Sequence, residues 1–412
     1  MHDSKKDIKR NLFLFFIDGM TFMPSTALIS ISAVIPYFLT QLGASTFQIA
    51  LAASLALVCS FISQPFFGFL ATHSRVMNKT FGKILLTQRL TFLCFVLCIP
   101  VLTKTGLLVW IFLFFWGLFN IFVGSYAVFF TPLLIKLLPP KKRGTIRGTG
   151  LAVGSFLGLG LAALIPVLLG RISFPYNYTL IFLLGSLFLI VNAFIFLSMR
   201  QHKDVVPNTP MSIVQYLKGM PSSIRENAHF RAMLFSTMFI VAANSLLPYY
   251  TLYAIRIFSA AESHIAALTA LAVLSNAFGH AVFGILADRL GPKLTMKFAA
   301  LMILLAGILS LVTNSMNSLF VVWVFANLGN TCFLMAAALF LGEVSPSEKL
   351  PLYVGVHAII SQAFSSVVLL LLAPALERFG FGVFFAVVLT CGALSLLISI
   401  CSERKANTPQ VS

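Results

Sequence analysis

Charge is scarce in this chain, and negative charge above all. Only 9% of its 412 residues are Asp, Glu, Lys or Arg, and just eleven of those are acidic. A soluble domain carries about 25% charged residues. With 59% of residues hydrophobic, too little polar surface exists to clothe a water-exposed globule, so lipid must be the main solvent. Cysteine is equally sparse. The six thiols (Cys59, Cys94, Cys98, Cys332, Cys391 and Cys401) form no CxxC pair. Cys94 and Cys98 share a helix face without a third ligand, so a disulfide framework and a zinc site are both excluded and small buried hydrophobes remain. No G-x-x-x-x-G-K-[ST] loop occurs: Gly82-Lys83 is followed by Ile84 and lacks the earlier glycine. ATP hydrolysis by that route is ruled out. With no H-E-x-x-H, no serine triad context and no metal cluster, the expectation is a non-enzyme without cofactor or metal.

Phenylalanine and positive charge are what the chain does have. Its 42 Phe residues read as packing bulk for lipid and helices. About 20 apolar residues in helix cross a hydrocarbon core of about 30 Å. Twelve segments reach roughly that length: 12–39, 46–71, 84–103, 107–135, 148–170, 177–199, 232–257, 264–286, 295–313, 318–342, 353–375 and 381–401. Lys5, Lys6, Lys9 and Arg10 precede a first run too long for a signal peptide, which reads as a retained helix. With the N-terminus in the cytoplasm, twenty-three Lys and Arg fall inside and four (Lys104, Arg171, Arg256, Arg378) outside; Arg89 lies within the third span. The positive-inside rule therefore places both termini in the cytoplasm and accounts for the net charge of +17 without nucleic acid. Compact loops and short termini point to a bacterial cytoplasmic (inner) membrane.

The two halves repeat each other. Ile35-Pro36-Tyr37-Phe38 corresponds to Leu247-Pro248-Tyr249-Tyr250 at an offset of 212, and Gln48 and Gly68 correspond to His264 and Gly284 at 216. Duplicated bundles of membrane helices place a site between their copies. The expected division is 1–199 for an N-terminal six-helix bundle, 200–231 for a cytoplasmic central loop and 232–412 for a C-terminal six-helix bundle with a short tail. Residues 212–218 carry a partial apolar stripe, readable as an interfacial helix or as a tether.

The most specific local pattern is Gly284-Ile285-Leu286-Ala287-Asp288-Arg289-Leu290-Gly291-Pro292-Lys293, at the cytoplasmic turn after the eighth span. It resembles the G-x-x-x-D-R-x-G-[RK]-[RK] motif of the major facilitator superfamily, with Pro292 in place of one basic residue. The resemblance extends over the whole chain: twelve spans, two six-span halves, a long central loop and both termini inside. It implies an all-α membrane protein with two pseudo-symmetric six-helix bundles that move about a midplane site. It also implies a cytoplasmic latch made by Gly284, Asp288, Arg289, Gly291 and Lys293. There Asp288 is expected to face the start of the eleventh span, and Glu343 to pair with Arg289. The first copy reads Gly68-Phe69-Leu70-Ala71-Thr72-His73-Ser74-Arg75 and puts Thr72 where the family has Asp. Its facing loop keeps Arg143 and Arg147.

Asp18 is the only acidic residue well inside a span. A mid-bilayer charge costs about 2.5–3.5 kcal/mol on insertion scales, so an intramembrane carboxylate is a functional suspect. Two readings stand: proton coupling, and a structural gate with Arg89 or Arg147. Other polar residues of the spans must turn from lipid into the bundle. Those read as substrate-binding candidates are Asn120, Tyr126, Asn244, Tyr249, Asn276, His280, Asn327, Asn330, His357 and Gln362. Gly150, Gly154 and Gly158 recur every four residues and predict a close-packed helix face. The resulting reading is a monomeric secondary transporter of a small organic solute, coupled to protons. With few charges at mid-depth, a neutral or amphipathic solute is favoured, and analogy with the efflux carriers of the resembled family favours export. An importer or facilitator of a nutrient, and a non-transporting receptor or scaffold, are the alternatives.

Overall fold

The computed structural model describes residues 5–30, 34–102, 106–202, 213–260 and 262–407. It is a chain of helices: α1 (Lys5–Leu28), α2 (Val34–Gln41), α3 (Thr46–Thr72), α4 (Met77–Leu102), α5 (Leu108–Val123), α6 (Ser125–Leu137), α7 (Arg143–Arg171) and α8 (Tyr176–Ser198). There follow α9 (Ile213–Glu226), α10 (Ala228–Ser245), α11 (Leu247–Phe258), α12 (Glu262–Leu290), α13 (Pro292–Leu311), α14 (Met316–Val344), α15 (Leu350–Phe379) and α16 (Phe381–Asn407). Eleven helical stretches among the described residues are long and apolar enough to cross a membrane. The expected span 12–39 corresponds to α1 and α2; residues 31–33 between them lie outside the described residues. Among the described residues, two further spans are each built of two pieces. The breaks fall at Gly124, between α5 and α6, and at Leu246, between α10 and α11. Within the central segment, α9 forms with Tyr216 fully buried, and α10 starts at Ala228, where Asn227 accepts the Phe230 N–H as a helix cap.

Contacts divide the chain into two compact units, 1–139 with 149–214 and 140–148 with 215–412. The helix α7 thus gives its opening turns to the second unit and its remainder to the first. In the first unit, Phe38 sits fully buried among the rings of Phe95, Phe112, Tyr178 and Phe182. Its counterpart Tyr250 is buried against Trp323 and Phe384, with its hydroxyl 3.3 Å from Ser310 Oγ. The glycine face of α7 meets α1 as the spacing predicts. A Cβ on Gly150 would lie 2.5 Å from the Phe16 carbonyl oxygen, and one on Gly154 2.5 Å from that of Gly19. Backbone touches backbone there, so any larger residue must push the helices apart.

The repeat continues into hydrogen bonds. Trp116 Nε1 donates to the Ala52 carbonyl at 2.9 Å, and Trp323 Nε1 to that of Leu268 at 2.6 Å. Asn120 Nδ2 donates to the Trp116 carbonyl and Asn327 Nδ2 to the Trp323 carbonyl, both at 2.8 Å. In each unit one indole thus ties two spans together, and one amide satisfies the carbonyl behind it.

Candidate functional site

The first unit holds its charges in a small buried network. Asp18 on α1 is 4% exposed and accepts a 2.5 Å hydrogen bond from Asn192 Nδ2 on α8. The Asn192 carbonyl oxygen in turn accepts from the Arg89 guanidinium of α4 at 3.2 Å. Arg89 also donates to Gln88 Oε1, and Gln88 Nε2 donates to the Phe119 carbonyl at 3.0 Å. Asp18 is a negative charge acting on Arg89. Tyr126 is a ring of an aromatic stack, with Phe22 at 5.7 Å and Phe130 at 5.0 Å between centroids. A carboxylate, an amide and a guanidinium from three helices are therefore linked in series. Such a chain holds a charge in low dielectric and couples any change at the carboxylate to the neighbouring helices.

The second unit carries a neutral polar seam between α10 and α15. On α15, His357, Ser361 and Ser365 follow at four-residue spacing and all lie buried. His357 Nε2 meets Thr237 Oγ1 of α10 at 2.9 Å. The Ser361 and Ser365 hydroxyls and the Asn244 amide nitrogen have no hydrogen-bond partner among the described residues. Buried polar groups nearly always find partners, so these three atoms make α10 and α15 the candidate helices for a polar ligand. On α12, Asn276 Oδ1 accepts from Thr331 Oγ1 of α14 at 2.8 Å. His280 is 3% exposed, with Nδ1 unpartnered among the described residues and Arg147 as the charge acting on it.

At the end of α12, Asp288 clasps a helix N-terminus. Its Oδ1 accepts the Gly144 N–H at 2.7 Å and its Oδ2 accepts the Thr145 N–H at 2.6 Å. The carboxylate thus sits on two of the free amides that open α7, where the helix dipole favours negative charge. This corrects the expectation that Asp288 faces the start of the eleventh span. The reason lies in bulk: a Cβ on Gly144 would come 2.3 Å from the Gly284 carbonyl oxygen, and one on Gly148 2.1 Å from that of His280. Only a glycine-lined start can approach α12 so closely, whereas α15 opens with Leu350-Pro351-Leu352. Arg143 lies in the field of Asp288 and Glu343, and Glu343 in that of Lys293 and Arg143. Arg289, its expected partner, is not among the charges acting on Glu343. Gly291, at φ 86, makes the turn that lets Pro292 start α13. In the first copy Thr72 bonds only locally, to the Phe69 carbonyl at 2.7 Å and to His73 Nδ1 at 3.0 Å.

The remaining candidates scatter. Asn120 and Asn327 are occupied by the indole-bearing turns described above. Tyr249 packs its ring 5.8 Å from Phe384, as core. Asn330 and Gln362 are half-buried without a side-chain hydrogen bond among the described residues. Sequence reading passed over Gln88, Asn192, Thr237, Ser361 and Ser365. Two signals were available: Asn192 is the amide in the middle of an otherwise apolar span, and His357-x-x-x-Ser361-x-x-x-Ser365 is a single helix face. Among the described residues, no three His, Cys, Asp or Glu side chains group to hold a metal ion.

Known proteins sharpen this picture. The family model described as Sugar (and other) transporter matches residues 226–368. No curated protein sequence matches the chain. Among solved structures, the chain is similar to the E. coli fucose:proton symporter FucP, at 13% identity and TM-score 0.71, over 95% of this chain and 98% of that one. It is also similar to a bacterial homologue of the iron transporter ferroportin, at 14% identity and TM-score 0.72, over 97% and 99% of the two chains. The proton:xylose symporter XylE matches at 15% identity and TM-score 0.66, over 98% and 96%. These likenesses show that the chain has the fold of those membrane transporters, and residues 226–368 resemble the Sugar (and other) transporter family.

Proposed function

We propose that the protein is a secondary carrier for a small, neutral, polar organic solute, exposing one site alternately to the two sides of the membrane. The observation that carries this reading is the uncharged seam of α10 and α15, with its three unpartnered polar atoms. Hydroxyls and an amide without a fixed charge suit a solute recognised by hydrogen bonds, whereas a phosphate or tricarboxylate would need cations at that depth. The matched part of the Sugar (and other) transporter model spans this seam, and two of the similar structures are proton:sugar symporters. Both support a neutral solute. Asn244 and His357 lie on the two helices of the seam, and Asn276 and His280 on α12 remain further candidates for the solute. Asp18 is the proton-coupling group, and the Asp288 clasp with Gly284, Arg289, Gly291, Lys293, Glu343, Arg143 and Arg147 is the cytoplasmic gate. Ligand binding or protonation would then shift the population of conformers.

The test is counterflow in proteoliposomes of purified protein, with labelled neutral solutes and no nucleotide. Exchange of one solute class, with loss on Ser361→Ala/Ser365→Ala, is expected; no flux across a broad panel would favour the receptor or scaffold reading. An imposed pH gradient gives direction. Solute accumulating with inward proton flow means import, and solute leaving against it means export, the direction that analogy with efflux carriers favours. Asp18→Asn should keep counterflow and lose gradient-driven accumulation; unchanged proton dependence would remove Asp18 from coupling.

A further inference from the structure

At one end of the first unit, a cavity of about 420 Å³ opens between the start of α1, the start of α4 and the end of α8. Its lining includes Arg10, Lys79, Arg200 and His202, against a single carboxylate, Asp7. The wall that carries Arg200 is unusually well fixed. Asn78 is fully buried and donates to the carbonyls of Phe196 at 3.1 Å and Met199 at 2.8 Å. The Asn78 backbone N–H donates to Gln201 Oε1 at 2.9 Å. Asn11, also fully buried, takes both sides of the Arg200 peptide: Nδ2 donates to the Arg200 carbonyl at 2.8 Å, and Oδ1 accepts the Arg200 N–H at 3.0 Å. Two buried asparagines therefore hold the chain that leaves α8 rigid just where it turns cationic.

Asp7 meets the Arg200 guanidinium only at 3.9 Å, with the Arg side chain 65% exposed. That contact is too long for a hydrogen bond, and one carboxylate cannot balance Arg10, Lys79 and Arg200 together. What remains is a preformed basin of positive charge at the level where the positive-inside rule puts the cytoplasmic headgroups. None of the transport chemistry above uses it.

We propose that this pocket is a binding site for a phosphate-class anion, with the phosphodiester headgroup of an anionic lipid as the occupant that its position at a helix-end rim favours. Basic pockets between membrane helices on the cytoplasmic side take such headgroups, each nearby Lys or Arg adding about 1 kcal/mol, or about fivefold in affinity. The guanidinium of Arg200 supplies paired donors, and Lys79 a point charge. Asp7 is the built-in competitor that a bound phosphate displaces from Arg200.

The experiment uses the full-length protein in neutral detergent, titrated with phosphatidylglycerol, phosphatidylcholine or inorganic phosphate. Binding is read by native mass spectrometry and stabilisation by thermal unfolding. Phosphatidylglycerol retained over phosphatidylcholine, and weakened about fivefold by each of Lys79→Gln and Arg200→Gln, establishes the lipid source. Protection by inorganic phosphate that displaces the lipid assigns the same site to free phosphate. Asp7→Asn removes the competing carboxylate and should tighten binding, a gain that no misfolded variant would mimic. Equal retention of the two lipids with no phosphate protection, or binding indifferent to all three substitutions, overturns the proposal.

Discussion

Helices α1 and α8 of the first unit meet through Asp18 and Asn192, with Arg89 behind them. The corresponding helices of the second unit, α10 and α16, meet through Ser236 and the hydroxyls of Ser395 and Ser399, at 3.0 and 2.8 Å. Both contacts join the first and last spans of a six-span unit. Serine hydroxyls bridging membrane helices are inexpensive, contributing about 0.6 kcal/mol each. Buried charges are not: Coulomb attraction seldom exceeds their desolvation cost, and an apolar replacement of the whole pair is often neutral. If the only task were to join two helices, the second unit shows how it is done without ions. The charged version in the first unit therefore argues for a role beyond packing.

Removing the cation alone should produce the largest effect. Arg89→Leu leaves the Asp18–Asn192 pair without its guanidinium and should lower stability by about 3–5 kcal/mol, seen as a collapse of the melting temperature in detergent. The double variant Asp18→Asn/Arg89→Gln should recover most of that loss; failure to recover would show that the two residues do not act as a unit. Next comes the contrast between the two copies of the turn motif. Asp288→Asn weakens two charge-assisted hydrogen bonds, each of which contributes about 1.5–3 kcal/mol, and hydrogen exchange at Gly144 and Thr145 should speed up. Thr72→Ala, at the matching place in the first copy, should leave exchange across residues 143–148 unchanged.

A third comparison concerns size. Ser63 and Gly279 are equivalent, as are Gly124 and Thr331. A Cβ on Gly124 would lie 2.2 Å from Ser63 Oγ, while one on Gly279 would lie 3.0 Å from Thr331 Cβ. Gly124→Thr should cost about 1–3 kcal/mol by overpacking, and Ser63→Gly added to it should recover only part of the melting temperature, because the new Cβ also lies 2.5 Å from the Ser60 carbonyl oxygen. Ser236→Ala is the smallest change, about 0.6 kcal/mol; a loss several times larger would place the α10–α16 serines in function alongside Asp18.

The twelve-span architecture was legible because lipid imposes a length and a polarity on every crossing, and because Pro36/Pro248 and Gly68/Gly284 keep their spacing. The glycine face of α7 was legible for the same reason, since period and residue size suffice to predict close approach. What Asp288 touches was not. The motif announces a carboxylate at a helix end, but the helix it caps depends on which N-terminus is thin enough, and that is a tertiary fact carried by Gly144 and Gly148. That Asn120 and Asn327 each bond the carbonyl of an indole-bearing residue one turn behind was equally hidden. Asn192 was overlooked because a lone amide in an apolar span gives no hint of its partners until α1 and α4 are brought beside it.

The exchange of bulk between positions 63/124 and 279/331 also constrains history. Starting from one duplicated ancestor, a serine and a threonine facing each other would collide, whereas two glycines would leave only a tolerable void. The route from one arrangement to the other therefore runs through the emptied intermediate, with loss of a side chain preceding gain across the interface. Ancestral sequences rebuilt along this lineage should show glycine at both facing positions at a step between the two arrangements.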